Sequence, residues 1–304
     1  MSKLLSLAEA IRRHVPDGAS VCLGTALECL IPFAAAHELI RQGRRDLSLI
    51  GPISDMCFDQ LIAAGCARRV VAAWVGNVQH GTAYGFRRAV EAGVPRPLEV
   101  EDHSNLTIAA ALQAGALGAP YVPTRSLLGT GLLQSNPTFK EARDPFSGDP
   151  IVLIPALMPD VAILHVQRAD ADGHAHCWGT LGVTREAALA AKRVILVAEE
   201  ILPRERLLSD PGLILVPTLK VAAVVHEPFG AYPSPVQGCY RRAHEFYHCY
   251  HEESRTEDGM RAWLDRWVYG VKDWPGFLDL LGHEARAAVR ITSPRLSEPL
   301  DYGA

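Results

Sequence analysis

Two adjacent acids, Glu101 and Asp102, stand where an extended segment, residues 98–100, meets His103, Ser104 and Asn105 and then an uncharged helical stretch, residues 106–117. A carboxylate at such a strand end could serve as base or nucleophile. Ser104 or Asn105 can place a side-chain oxygen over the first free amides of the helix, whose N-terminus suits anionic or carbonyl groups. Beyond the helix, Pro120 and Pro123 stiffen a segment that delivers Thr124, Arg125 and Ser126. Arg125 could pair with a substrate carboxylate or phosphate. Gly129 and Gly131, around Thr130, let backbone approach a ligand closely. Gly24 and Thr25 form a comparable turn after a short apolar strand, and amides at such turns could hold an oxyanion. The candidate catalytic residues are therefore Glu101 and Asp102. The candidate binding positions are Gly24, Thr25, Ser104, Arg125, Ser126, Gly129 and Thr130. On extended backbone neighbouring side chains diverge, so one of the two acids should point inward. The plain structural alternative is a crossover helix whose preceding acid pairs with Arg125.

Other motifs point less far. His244-Glu245-Phe246-Tyr247-His248 is a literal HExxH, which on a helix could bind zinc with the glutamate as base. The metzincin third ligand needs glycine at 251 and histidine at 254, where this chain has His251 and Ser254; no glutamate falls between Glu257 and Glu284. We read these histidines as surface and core residues of an aromatic-rich helix and expect no metal. In His174-Ala175-His176-Cys177 successive residues of an extended segment point to opposite faces, so a soft metal site is not expected. Asp170 and Asp172 before Gly173 lack the third oxygen ligand of an EF-hand loop and read as turn chemistry. No GxSxG, GxGxxG or GxxxxGKS is present.

The elements that must position these groups alternate. Apolar strands at 20–23, 47–50 and 69–75 are separated by helices at about 29–42 and 55–64, with further helices at 4–15 and 83–92. In the second half, strands are expected at 151–153, 161–166, 194–198, 213–216 and 221–225. Their continuous Val, Ile and Leu content suits a sheet covered on both faces. Residues 134–149 read as an exposed polar excursion, 239–290 as helical and rich in aromatics, and 293–304 as a tail or partner-binding segment. We expect one α/β domain over 1–290, an open, mostly parallel sheet with helices on both faces and a helical C-terminal region, followed by a tail over 291–304.

The chain has 304 residues, a formal charge of −4, 48% hydrophobic and 21% charged residues. That balance argues against a nucleic-acid-binding or membrane-surface protein. Seven cysteines without a CxxC pair suggest free thiols in a reducing, cytoplasmic setting. The first fifteen residues read as an amphipathic helix, and no apolar stretch has the length of a membrane span.

Several segments, in order, resemble the α (A) subunits of family I CoA-transferases of the glutaconate CoA-transferase type, over about residues 7–281. They are VPDGASVCLG at 15–24, the acids and serine at 101–104, GAPYVPTRS at 118–126 with GTGL at 129–132, PALMPDVA at 155–162 running into Arg168, Asp170, Asp172 and Gly173, AEEI at 198–201, and VVHEPFGAYP at 224–233. The resemblance implies an open α/β fold, an acyl-CoA thioester as substrate with no bound cofactor, and partnership with a β (B) subunit in an α2β2 assembly. It also implies that the catalytic glutamate lies on the β subunit, since this chain has no (S/E)ENG segment. A branch of the same fold, the steroid ring-opening acyl-CoA hydrolases, carries a catalytic glutamate in an E-E-Y-S-H stretch of its A chain. Here that stretch reads Glu101-Asp102-His103-Ser104-Asn105, with an acid kept at both positions. The glycine loop at 24–29 reads GTALEC, without the basic residues that follow it in that branch. The expected function is CoA transfer between carboxylic acids. The alternatives are carbon–carbon bond hydrolysis of a cyclic-dione acyl-CoA and a non-catalytic effector-binding module.

Overall fold

The computed structural model describes residues 2–293 and residue 296, and the expected tail otherwise lies outside the described residues. Helix α1 (Leu7–His14), capped by Ser6 Oγ on the Glu9 amide, leads into β1 (Ser20–Cys22). Then follow α2 (Phe33–Arg41), β2 (Leu47–Ile53), α3 (Asp55–Ala63) and β3 (Ala67–Trp74). A small hairpin, β4 (Gly76–Asn77) and β5 (Gly81–Thr82), precedes α4 (Tyr84–Ala92), β6 (Glu99–Asp102) and α5 (Asn105–Leu117). The strands β1, β2, β3 and β6 lie side by side and parallel.

The chain then leaves this sheet. β7 (Tyr121–Thr124), the short helix α6 (Gly131–Ser135), β8 (Lys140–Arg143) and β9 (Pro150–Pro155) follow, and the three strands form an antiparallel sheet in the order β7-β9-β8. It rests on α5 through a second small core of Ala110, Ala111, Leu127, Phe139, Val152 and Ile154. Two expectations are corrected here. The polar excursion contains a strand, because β8 needs only one apolar face, and residues 151–153 join this sheet rather than the parallel one.

The main sheet resumes on the other side of β1 with β10 (Val161–Ala169), the short antiparallel β11 (Ala175–His176), α7 (Thr184–Ala190), β12 (Arg193–Ile201), α8 (Arg204–Leu208) and β13 (Val221–His226). Its order is β13-β12-β10-β1-β2-β3-β6. Because right-handed crossovers run opposite ways from the centre, α2 and α3 pack on one face while α5 and α7 pack together on the other. β10 and β12 are buried almost throughout, which is why they read as unbroken apolar runs. The strand expected at 213–216 is a 3₁₀ turn, Pro211–Leu213, followed by a single bridge from Ile214 to His176. Prolines at 211 and 217 remove the ladder donors a strand there would need.

Helices α9 (His244–Glu253), α10 (Glu257–Leu264), α11 (Trp274–Leu281) and α12 (His283–Val289), with a π-helical turn at Asp265–Tyr269, close the α2 side. Phe246 sits edge-on to Trp263 and Trp267 at 5.0 and 5.1 Å, and the neutral, buried ring of His37 sits edge-on to the stacked pair Trp274 and Phe277. Burial pushes the His37 pKa down to about 3. The aromatic-rich C-terminal segment is thus a cap on one layer of the core.

Candidate functional site

In an open parallel sheet, ligands bind beyond the carboxyl ends of the strands, where the strand order reverses. Here that point lies between β1 and β10, and the loop leaving β1 is unusual. Helix α2 starts at Phe33, not at residue 29, because Pro32 takes its N-cap; residues 24–31 therefore remain a loop with Leu27 and Leu30 in the left-handed region, at φ 60° and 55°. Gly24 (φ 66°) has no room for a Cβ against Ser54. Thr25 is pinned to the loop before α7 by its hydroxyl on Thr184 Oγ1 (2.8 Å) and by the Val183 amide, which donates to its carbonyl (2.9 Å). Left-handed backbone at non-glycine residues is strained and persists where surroundings enforce it, often at functional sites.

Asp55, first residue of α3, shares that strain at φ 49°. Its carboxylate is fully buried, accepts from the Val78 amide (3.2 Å) and forms an ion pair with Arg242 (Nη2–Oδ2 2.8 Å), which is itself 1% exposed. Burial raises the Asp55 carboxyl above its ordinary range, with the Arg242 charge and the Val78 amide pulling the other way. The guanidinium lies 3.6 Å over the Tyr247 ring. Asn77, in the β4–β5 hairpin, donates from Nδ2 to the Tyr247 carbonyl (3.1 Å). Glu28, in the β1 loop, is half-buried, and burial raises its carboxyl too. Glu28, Asp55, Asn77 and Arg242 thus gather at the carboxyl ends of β1, β2 and β3.

The expected acids lie on the same edge of the sheet but three strands from β1. Register runs Cys22–Ile50–Val71–Glu101, so Asp102 lies level with Leu23 along the strands and about 14 Å away across them. The side chains diverge as expected. Glu101, 8% exposed, is held by Arg69 and by His103 Nε2 (2.9 Å), while Asp102 is exposed. Burial pushes the His103 pKa down to about 4, so at neutral pH its uncharged ring bridges Glu101 and Thr107 Oγ1 (3.1 Å). Ser104 caps α5: its Oγ accepts from the Thr107 amide, and Thr107 Oγ1 accepts from the Ser104 amide.

Arg125, Ser126, Gly129 and Thr130 fall on the small-sheet side. Arg125 pairs with Asp149 (2.7 Å), both exposed, and with neither acid. Ser126 bonds Thr124, Gly129 turns at φ 76°, and the Thr130 hydroxyl donates to the Leu127 carbonyl (2.7 Å). Arg125 lines an open groove of about 580 Å³ with Tyr121, Arg143 and Phe146. Asn136 Nδ2, donating to the Asp102 carbonyl (2.8 Å), ties this region to β6. The structure therefore brings Glu101, Asp102 and Ser104 together, holds Gly24 and Thr25 at the strand-order reversal, and keeps residues 125–130 apart.

The HExxH histidines contact other side chains of this chain. His244 Nδ1 bonds Gln79 Oε1 (2.9 Å), His248 is exposed beside His80 (5.3 Å between ring centres), and His251 stacks on His80 at 5.1 Å. Among the described residues no three His, Cys, Asp or Glu side chains are arranged to hold a metal. The purified protein is expected to contain no stoichiometric zinc, unchanged by His248→Ala; a 1:1 zinc content lost in that variant would overturn this. The 170–177 hairpin closes on itself. Asp170 Oδ1 accepts three amides, His174 pairs with Asp170 (2.7 Å), and His176 bonds the Leu207 carbonyl (2.8 Å).

Sequence reasoning misses Glu28, Asp55, Asn77 and Arg242, which lie on four distant segments with no shared spacing. The available signal is an arginine pair, Arg241-Arg242, inserted in an aromatic stretch.

A model of a family described as Coenzyme A transferase matches residues 4–227. The chain is 41% identical over 277 residues to the A chain of 3-oxoadipate CoA-transferase from Pseudomonas knackmussii, covering 91% of this chain and 97% of that protein. It is 33% identical to the A chain of glutaconate CoA-transferase from Acidaminococcus fermentans, over 99% and 97% of the two chains. The crystal structure of that organism's glutaconate coenzyme A-transferase superposes with a TM-score of 0.91 over 99% of each chain, at 31% identity. A cholesterol ring-cleaving hydrolase IpdA subunit of Mycobacterium tuberculosis is 26% identical over 255 residues, 79% of this chain and 85% of that one.

Proposed function

The chain belongs to the coenzyme A transferase family, and we propose that it is the α (A) component of a heteromeric enzyme that moves coenzyme A from an acyl-CoA thioester to a dicarboxylic acid. The carrying observation is the 41% identity across nearly the whole length of the 3-oxoadipate CoA-transferase A chain. The glutaconate relative, also named for a dicarboxylic acid, supports the substrate class. The partner is a β (B) subunit of the same family, in an α2β2 assembly, and it supplies the glutamate that accepts coenzyme A. The coenzyme A thioester is substrate, not resident cofactor. No helix among the described residues is long and apolar enough to cross a membrane, and we place the enzyme in the cytoplasm. A non-catalytic effector module is set aside, because the relatives over this length are enzyme subunits.

This chain's part is positioning. Gly24 and Thr25 offer backbone at the strand-order reversal, and residues 124–130 form a separate wall that we assign to the binding of the thioester. We treat residues 1–290 as one α/β domain, in which the parallel sheet carries Gly24 and Thr25 and the small antiparallel sheet carries residues 124–130. The reading is tested with the co-purified complex, succinyl-CoA as donor, and 3-oxoadipate, glutaconate and monocarboxylates as acceptors. New dicarboxyl-CoA should form, and no product with any acid would sink the proposal.

The ring-opening hydrolase remains the second reading, favoured by the acid pair and the IpdA relative. Asp102 distinguishes the two. With the nucleophile on the β chain, Asp102→Asn should raise KM several-fold and leave kcat within about threefold. As a general base, Asp102 would instead account for about 100- to 10,000-fold in turnover. Glu101→Gln removes a charged partner of Arg69 and His103, and should cost about 1.5–3 kcal/mol of stability, read as a fall in Tm of the complex.

A further inference from the structure

Most buried polar groups in a folded protein find hydrogen-bond partners, so a cluster that does not calls for a cause. In this chain one group of such atoms surrounds Arg242. Nε, Nη1 and Nη2 of Arg242 are buried without a hydrogen-bonded acceptor, the Asp55 contact being an ion pair off the direction of a hydrogen bond. Around them, Glu28 Oε2, Asp55 Oδ2, Asn77 Oδ1 and the Tyr247 hydroxyl are also buried and unmatched. The guanidinium cannot escape to solvent: Tyr247 stacks against its face and Asp55 holds Nη2. Glu28, on the strained β1 loop, is half-buried.

An arginine fork presents several N–H groups in a plane that matches a carboxylate, and paired charge-assisted hydrogen bonds are the strong ones. The free Nε and Nη1, at the carboxyl ends of β1 to β3, offer such a pair to a ligand.

Building on the transferase reading, we propose that Arg242 recognises the second carboxylate of the dicarboxylic acyl group, with Glu28 as the gate whose charge faces the guanidinium until that carboxylate replaces it. Asp55 holds the guanidinium in place, and Asn77 fixes the Tyr247 backbone beneath it. The carboxylate that takes coenzyme A lies at the other end of the substrate, so Arg242 sets specificity and takes no part in bond making. The raised carboxyl of Glu28 agrees with a group that yields its charge easily.

The test uses the co-purified complex and a matched pair of acids, glutarate and butyrate, which differ by one carboxyl group. Arg242→Lys keeps a cation beside Asp55, so folding is preserved, but loses the fork. The ratio of kcat/KM for glutarate over butyrate should fall at least about tenfold in this variant. Glu28→Gln should lower KM for glutarate by about fivefold, through lost like-charge repulsion, and leave butyrate within about twofold. An unchanged ratio in Arg242→Lys, or equal losses on both acids, overturns the assignment. A second readout separates this from failure of the transferase reading: glutarate should raise the Tm of the wild-type complex more than butyrate does, and Arg242→Lys should abolish that difference. If that pattern appears without coenzyme A transfer, the function falls and the carboxylate site stands; if glutarate and butyrate act alike on wild type, the site falls.

Discussion

Purified without its β partner, the chain is expected to move no coenzyme A above background, and adding the partner should raise the rate by about a millionfold or more. Two of the buried acids at the sheet's carboxyl edge are already committed. Glu101 has both carboxylate oxygens committed, to Arg69 and His103. Asp55 is committed to Arg242 and Val78. No (S/E)ENG segment is present to supply the acyl-accepting glutamate. Holding two reactants and a nucleophile in register accounts for much of an enzyme's rate, and in the proposed reading the nucleophile comes from the β chain. The surface agrees with this: Phe146, beside the groove that Arg125 lines, is 97% exposed, a large apolar side chain left to solvent in the lone chain. Assay of the single chain and of the co-purified pair, at equal concentration with native mass measured in parallel, decides it. Full turnover by the single chain would refute the division of labour.

Gly182→Ala is expected to cut kcat/KM of the complex by about 100-fold while the chain still folds. Gly182 sits at φ 52°, and a Cβ there would run into the Thr25 carbonyl oxygen and the Ala26 Cα. Both obstacles are backbone, so the β1 loop must move, taking Gly24, Thr25 and Glu28 with it. Displacing positioning groups by about 1 Å can cost about 100-fold even when no reacting group is touched. Gly212→Ala is the control, because nothing lies within 4 Å of a Cβ there and its backbone is ordinary. That variant should stay within about twofold. Equal activity in the two variants would show that the pinning of Thr25 to the loop before α7 has no bearing on the site.

Much of the scaffold is legible because local pattern and burial coincide. β10 and β12 are buried on both faces and read as apolar runs; Ser104 caps α5, and Gly93 and Gly118 end their helices in left-handed backbone. Divergence of Glu101 and Asp102 follows from the period of a strand. The small sheet is less legible, since β8, Lys140–Arg143, has an almost wholly exposed polar face and derives its pairing from β9. The run at 213–216 looks like a strand until its flanking prolines are weighed. The cluster at Arg242 is not legible at all. Its pairing with Asp55 spans 187 positions, and nothing near either residue encodes the other. Family resemblance carries the function where spacing alone does not, since the acids, hydroxyls and glycine turns by themselves suit several chemistries.

Whether the complex conserves the thioester while changing its acyl group is decided by the fate of the sulfur. The complex is mixed with succinyl-CoA and excess 3-oxoadipate, and thioesters and free thiol are quantified together as the donor disappears. Transfer requires one new dicarboxyl-CoA for each succinyl-CoA consumed, with no free coenzyme A beyond the enzyme-free control. Free thiol appearing in step with donor loss, or loss of thioester with no new acyl-CoA, would contradict it.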